Sequence, residues 1–189
     1  MQGPFGEGRW CATAKIPIPS FNDIMWRAMT NKTDSMKMNP AYIEAIIPHV
    51  NDCPYFCLLS MKIKSLEWGK SHLEILVEKK HLQPFGMAHG GVYASLIDAA
   101  AFWAVYTQIE ASSEMTTVEL KVNYLAPASE GQFIATGRSL KVGERLCLGE
   151  ATVATEKGKL LAHGTSTMMI VDSVKIQGQS QLPPKFLNR

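Results

Sequence analysis

The 189-residue sequence predicts an α+β fold in which one curved antiparallel β-sheet encloses a single long α-helix. Residues 89–110 are almost continuously apolar or small, which is typical of a helix buried on every side. Two segments before this helix and four after it show the two-residue period of β-strands. Short turns rich in glycine separate the strands and favour antiparallel neighbours. Such a sheet has to curl around the helix to bury it.

The predicted strands follow from alternation between apolar and polar residues. The first two are expected at residues 58–68 and 71–79, joined by a turn at Gly69-Lys70. The other four are expected at residues 117–125, 132–141, 145–155 and 159–171, arranged as a meander. The first of these four predicts a core-facing row of apolar side chains opposite a solvated row. The expected core row is Val118, Leu120, Val122 and Tyr124.

Three segments are predicted along the chain: an N-terminal extension at residues 1–38, a main domain at 39–172 and a C-terminal tail at 173–189. Within the extension, residues 22–30 predict one short amphipathic helix. The main domain begins with a second short helix at residues 39–50, which has Pro40 at its first position. The tail is rich in Gln, Ser and Pro, and we expect it to be loosely attached.

Composition excludes several classes of protein. The net charge is only +2 and the basic residues are scattered, so no nucleic-acid partner is predicted. Ser95 and Asp98 interrupt the longest apolar stretch, which falls short of the roughly 20 residues that a membrane span needs. The N-terminus shows no signal peptide, so we expect a cytoplasmic location with reduced thiols.

No metal site or cofactor is predicted. His49, Cys53 and Cys57 are spaced by four residues, as metal ligands on one helical face would be. Pro54 interrupts the helix, however, and no fourth ligand is evident.

Asp98 is the sole carboxylate between His89 and Ile109. Burying a charge among apolar residues costs free energy unless the charge is paired and hydrogen-bonded, so its presence needs an explanation. One interpretation is structural, with the carboxylate bonded to a polar neighbour or to a second subunit. The other is functional, because carboxylates in apolar settings serve as nucleophiles or general bases. We favour the functional interpretation.

His89, Gly90 and Gly91 stand at the start of the predicted helix. The first N–H groups of a helix have no intrahelical partner, so this mouth can bind an oxyanion. The plainer alternative is that the glycines only permit a tight turn or close packing. For His89 we favour a capping or hydrogen-bonding role over acid–base chemistry.

Helix geometry separates the two candidate groups. Asp98 lies eight residues after Gly90, and this spacing corresponds to about 12 Å along the axis. The two groups of one chain therefore cannot touch the same carbonyl group. If both act on one substrate, a two-fold dimer has to bring Gly90 of one subunit beside Asp98 of the other. The sequence thus predicts a homodimer with two shared sites.

The segment Gln83-Pro-Phe-Gly86-Met-Ala-His89-Gly90-Gly91-Val-Tyr-Ala-Ser-Leu-Ile-Asp98 resembles the central motif of PaaI-like hot-dog thioesterases. Residues 118–127 are similar to the strand that follows it in that family, and the resemblance covers residues 40–172. It implies a hot-dog fold, in which a curved sheet wraps a central helix. It also implies hydrolysis of an acyl-CoA thioester without a cofactor, by a homodimer that can pair into a dimer of dimers.

The resemblance also implies roles for individual residues. Asp98 would be the nucleophile or general base, and the Gly90 amide would polarise the thioester carbonyl. His89 would support the loop at the helix mouth. Gln83 would position water or the thioester, and Thr117 would help to orient water, with Thr116 as its rival. Further substrate contacts are expected from Gly91, Ser95 and Phe102.

Two other functions use similar architecture. A hot-dog enoyl-CoA hydratase or dehydratase would need a His and an acid, and His89 with Asp98 superficially qualify, but neither hydratase nor dehydratase sequence patterns are present. A non-catalytic acyl-CoA-binding regulator would use the N-terminal extension to bind DNA, but that extension has few cationic residues.

Overall fold

A computed structural model describes residues 37–171 and 175–187. Its helices are α1 (Pro40–Asn51), α2 (Pro54–Leu58) and α3 (Gly90–Tyr106). Its strands are β1 (Met61–Glu67), β2 (Lys70–Leu76), β3 (Glu114–Tyr124), β4 (Gln132–Val142), β5 (Leu146–Thr155) and β6 (Leu160–Val171). Single 3₁₀ turns occupy Lys79–His81 and Gln179–Gln181. The helix predicted at residues 22–30 lies outside the described residues.

The six strands form one antiparallel sheet in the order β1-β2-β4-β5-β6-β3, and α3 packs against it. This confirms the predicted α+β class. The predicted meander is wrong at one point, because β3 pairs with β6 and not with β4. Residues 125–131 join β3 to β4 and exceed a tight hairpin loop, which has about two to five residues. The longer connection lets β3 take the far edge of the sheet.

The sheet packs closely on α3 because both surfaces are made of small residues. Ala100, Ala101 and Ala104 of the helix are fully buried. Opposite them, a Cβ atom added to Gly149 would lie 2.8 Å from the carbonyl oxygen of Ala101. The prediction that α3 is buried on every side is wrong for one of its faces. Its half-buried residues there are Ala94, Ser95, Asp98, Ala99 and Phe102.

The predicted alternation of core-facing and solvated side chains along β3 is wrong in part. A bulge between Thr117 and Glu119 shifts the register, so Val118 no longer alternates with the residues that follow. Val118 and Tyr124 are 53% and 58% exposed, and Leu120 is 37% exposed. These three are not core residues of this chain, whereas Val122, the fourth residue of the predicted row, is partly buried and packs against the core.

Helix α2 replaces the expected start of the first strand. Pro54 occupies the first helical position, where its missing N–H costs nothing, and the extended Cys53 precedes it. The strand therefore begins only at Met61. In contrast, α1 closely follows its prediction, with Asn39 as its N-cap and Pro40 next to it.

Residues 175–187 form what we call the C-terminal strap, and they contradict the prediction of a loosely attached tail. The backbone N–H of Asn39 donates to the carbonyl of Lys185 at 2.9 Å, and that of Leu187 donates to Lys37 at 3.1 Å. The ring Nε2 of His49 lies 2.6 Å from the carbonyl oxygen of Gln177. The strap is thus fixed to the segment that leads into α1.

Candidate active site

The loop before α3 is organised by His81, which is buried. Its ring Nδ1 accepts a hydrogen bond from the backbone of Glu78 at 2.9 Å, so Nε2 carries the proton and donates to Leu59, also at 2.9 Å. The carbonyl of His81 accepts from the backbone N–H of His89 at 2.8 Å. This role of His81 was not predicted, because a histidine within Lys-Lys-His-Leu shows no motif.

His89 is the N-cap of α3, as the favoured interpretation predicts. Its ring Nδ1 accepts a hydrogen bond from the N–H of Gly91 at 2.8 Å. This bond occupies the Gly91 donor. The N–H of Gly90, at the first helical position, has no acceptor among residues 37–171 and 175–187. Of the two glycine amides, Gly90 is therefore the one available to a ligand.

A cavity of about 290 Å³ lies beside Gly90, and we call it the Gly90 cavity. Gln83 lines it, and the Gln83 Oε1 accepts from the backbone of Phe85 at 3.0 Å. Tyr124 covers Gly90 closely, since an added Cβ would lie 3.2 Å from the Tyr124 ring. Glycine at this position therefore allows the aromatic ring to approach the helix mouth. The remaining lining residues are Met87, Ala88, Tyr93, Leu125, Ala126 and Pro127.

Asp98 lies midway along α3 and is held by two hydroxyl groups of the sheet. Its Oδ1 accepts from Thr117 Oγ1 and from Ser166 Oγ, each at 2.9 Å. Thr117, and not the exposed Thr116, therefore contacts the carboxylate. Within the described ranges no partner contacts Oδ2 and no cation lies within 4.0 Å of the carboxylate. Two donors thus orient Asp98 and leave one oxygen available.

Ser166 is fully buried, and its contact with Asp98 was not predicted. It lies on β6, 68 residues after Asp98, and reaches the carboxylate because β6 is paired with β3. The available signal was a serine at a core-facing position of a strand. A hydroxyl buried there needs a partner.

A second cavity, of about 380 Å³, contains Asp98, and we call it the Asp98 cavity. Two predicted substrate contacts, Ser95 and Phe102, line it. Its other lining residues come mainly from α2 and α3, and most are apolar. They are Tyr55, Phe56, Met61, Ala94, Ala99, Trp103 and Leu120.

The two cavities share no lining residue. The Gly90 amide and the Asp98 carboxylate of one chain are about 12 Å apart along the helix axis, so they serve separate cavities. A six-stranded antiparallel sheet packed around one long central helix defines a hot-dog domain.

Comparisons with known proteins identify the family. The model of the Thioesterase superfamily matches residues 85–162. A putative esterase of Saccharolobus solfataricus is 31% identical over 124 residues, which cover 66% of this chain and 87% of the relative. The 1,4-dihydroxy-2-naphthoyl-CoA hydrolase of Listeria monocytogenes is 30% identical over 112 residues, which cover 59% of this chain and 91% of the relative.

A solved structure agrees with these relatives. The thioesterase family protein from Silicibacter pomeroyi superposes with a TM-score of 0.63 at 27% identity, covering 69% of this chain and 98% of that one. The chain belongs to the thioesterase superfamily, and its general activity is the hydrolysis of a thioester.

Among the described residues, no helix combines the length and the apolar character that crossing a membrane requires.

Proposed function

We propose that this protein hydrolyses an acyl-CoA thioester and that Asp98 is its catalytic carboxylate. The observation that carries the proposal is the setting of Asp98. Two hydroxyl donors hold Oδ1, while Oδ2 has no partner among the described residues and the side chain lines a mostly apolar cavity. A carboxylate oriented in this way is prepared either to attack a carbonyl carbon or to take a proton from water.

The reaction follows from these groups. The thioester carbonyl oxygen accepts a hydrogen bond from the Gly90 N–H, which stabilises the negative charge that develops on that oxygen. Asp98 either adds to the carbonyl carbon or deprotonates the water that adds to it. The carbon–sulfur bond then breaks, and CoA leaves as the thiolate. In the nucleophilic route, water hydrolyses the resulting anhydride and regenerates Asp98.

We further propose that the protein is a homodimer with shared active sites. The separation of about 12 Å along α3 supports this, because the Gly90 amide and the Asp98 carboxylate of one chain are too far apart to reach the same carbonyl group. The exposed edge strand β3 also supports it, because unpaired strand edges with apolar side chains favour pairing with another chain. A two-fold axis across this edge sets the two α3 helices antiparallel. Gly90 of each then approaches Asp98 of the other.

The relative from Listeria monocytogenes is named as a hydrolase of a CoA thioester, which supports a CoA thioester as the substrate here. We propose a cytoplasmic location, and association of two dimers is a further expectation. Fractionation and sedimentation velocity test these points.

The activity is tested by incubating the purified protein with a panel of acyl-CoAs and measuring the released thiol. We expect turnover by the wild type and a loss of at least about a thousandfold in Asp98→Asn, which keeps the shape of the side chain but removes its charge. Glu156→Gln, in an exposed turn, is the matched control and should keep full activity. Wild-type activity in Asp98→Asn would exclude this mechanism, and enoyl-CoA hydration without thiol release would favour a hydratase.

A further inference from the structure

Helix α2 supplies one wall of the Asp98 cavity. It contributes Tyr55 and Phe56, which line the cavity together with residues of α3. Phe56 is buried, whereas Tyr55 is 53% exposed. The hydroxyl of Tyr55 lies 2.7 Å from Ser95 Oγ. This hydrogen bond, which we call the Tyr55–Ser95 clasp, ties α2 directly to the helix that carries Asp98.

The direction of the clasp follows from the second partner of Ser95. Ser95 Oγ donates its single hydrogen to the carbonyl of Gly91 at 2.8 Å. Tyr55 must therefore donate to Ser95. Ser95 and Asp98 are three residues apart and lie on the same face of α3. The clasp thus holds the Tyr55 ring beside the turn that presents the carboxylate.

Two other residues that line the cavity, Met61 and Trp103, are buried. Met61 is fully buried and Trp103 is 7% exposed. Behind Trp103, the Tyr106 ring packs edge-to-face against it with 4.9 Å between ring centroids. The amine of Lys185 lies 3.8 Å from the centroid of that same Tyr106 ring. The C-terminal strap therefore supports this part of the cavity lining through Tyr106.

The Asp98 cavity is small, because its volume of about 380 Å³ lies near the lower end of the roughly 300 to 1,000 Å³ that ligand pockets span. A long chain would have to leave the cavity sideways. Tyr55 is the most exposed aromatic residue of the cavity lining. Its side chain is therefore the one that has to move when a long chain binds.

We infer that Tyr55 is a specificity-determining residue, and that the Tyr55–Ser95 clasp restricts this site to compact acyl groups. The inference rests on the proposed function, because it assigns the Asp98 cavity to the acyl group. Short or ring-shaped acyl groups fit between Tyr55 and Trp103, and they gain contact with aromatic faces. Long unbranched chains are excluded until the clasp opens.

The test compares two variants of Tyr55 with a control on the same helix. Tyr55→Phe keeps the ring and removes the clasp, whereas Tyr55→Ala removes both. Leu58→Ala is the control, since Leu58 is 65% exposed and does not line the cavity. For each protein, kcat/KM is measured with hexanoyl-CoA, phenylacetyl-CoA and palmitoyl-CoA. Circular dichroism confirms that each variant is folded.

We expect the wild type to prefer hexanoyl-CoA and phenylacetyl-CoA to palmitoyl-CoA. Tyr55→Ala should raise the ratio of palmitoyl to hexanoyl kcat/KM by about tenfold, because a side wall is lost. Tyr55→Phe should raise it by about threefold, the effect of one hydrogen bond. Leu58→Ala should leave it unchanged. Wild-type preference for palmitoyl-CoA, or equal ratios in wild type and Tyr55→Ala, would overturn the inference.

Binding measurements separate this inference from the proposed chemistry. Dissociation constants for the same three acyl-CoAs are measured with Asp98→Ala and with the double variant that also carries Tyr55→Ala. If the wild type shows no turnover but Tyr55→Ala still shifts the binding ratio towards palmitoyl-CoA, the proposed catalysis fails and the specificity role stands. If no acyl-CoA binds, or the binding ratio does not move, the specificity role is wrong.

Discussion

The two ends of α3 differ in whether their polar groups have hydrogen-bond partners within the protein. At the N-terminal end, the N–H of Gly90 has no acceptor among the described residues and opens on a cavity. At the C-terminal end, Thr107 bonds back into the helix, its N–H contacting Trp103 and its hydroxyl Ala104. The nearby hydroxyls of Tyr106 and Tyr42 pair at 2.8 Å.

The strap completes the closed end. Lys185, which is buried, donates to the carbonyl of Ile109 at 3.0 Å and lies over the Tyr106 ring. The buried Glu114 accepts from Gln179 Nε2 of the strap at 2.8 Å. One end of α3 therefore keeps a donor for a ligand, while the other uses its polar groups to hold the fold together. Substitutions at the open end should change activity, and those at the closed end should change stability.

Of the substitutions that compare the two ends of α3, Gly90→Pro at the open end should give the largest effect. Proline at the first helical position removes the N–H at little cost to the helix, and His89 already has the extended backbone that must precede proline (φ −65°, ψ 141°). We expect kcat to fall by about 100- to 1000-fold, as for other lost oxyanion donors. Thiol release measures this effect.

Gly90→Ala is the matched control for that substitution, because it keeps the N–H. Its Cβ displaces only the ring of Tyr124, which is 58% exposed. Its activity should remain much higher than that of Gly90→Pro. Equal activities of the two variants would show that the amide is not used.

Ser166→Ala should have the next largest effect, and it tests whether the carboxylate at the middle of α3 needs its orientation. It removes one of two donors to Asp98 Oδ1. We expect kcat to fall by about 10- to 100-fold, the range expected for loss of a hydrogen bond to a charged group. Thr167→Ala, the next residue on β6, removes a hydroxyl that bonds to Glu119 instead and should leave kcat unchanged. A similar loss in both variants would indicate a general effect on the strand.

Tyr42→Phe tests the closed end. It leaves the Tyr106 hydroxyl without its partner, so we expect a loss of about 1 to 2 kcal/mol in the free energy of unfolding. Urea denaturation gives that value. The comparison between the two ends predicts that kcat/KM changes less than twofold, and a tenfold loss of activity would contradict it.

The smallest expected effect is a pH dependence of stability at the same end. Burial lowers the pKa of Lys185 to about 7, whereas an unfolded lysine titrates near 10.5. The folded state then binds fewer protons between these values, so its stability rises with pH in that interval, and the destabilisation from burying the charged amine grows as pH falls towards 7. We expect a gain of about 1 kcal/mol between pH 7.5 and 8.5.

Lys185→Met removes this contribution; Glu114 is present in both proteins, its pKa raised by burial and, in the wild type alone, lowered by the Lys185 charge. The gain in stability between pH 7.5 and 8.5 should be smaller in Lys185→Met than in the wild type. Parallel pH profiles of the two proteins would show that the amine does not titrate in this interval.

What could be predicted from the sequence was mostly local in the chain. The helix α3, its His89 cap and the position of Asp98 on it depend on residues within a few turns of each other. The resemblance of residues 83–98 to a family motif also gave the fold, which the comparisons confirm.

The incorrect or missing predictions depend on contacts between distant residues. The place of β3 at the sheet edge is decided by its pairing with β6, and the role of Ser166 follows from the same pairing. Docking of the strap depends on contacts with distant residues, among them the contacts of Lys185 with Tyr106 and Ile109. Alternation along a strand shows which residues share a face, but not whether another strand covers them.

If Gly90 of one subunit and Asp98 of another act on the same thioester, two inactive variants should restore activity when they are mixed. Asp98→Ala and Gly90→Pro are combined in equal amounts, exchanged through mild denaturation and refolding, and assayed for thiol release. We expect recovery of about a quarter of wild-type activity, because half of the dimers are mixed and each mixed dimer has one intact site of two. If sedimentation shows mixed dimers and activity stays at the level of the separate variants, the sites are not shared.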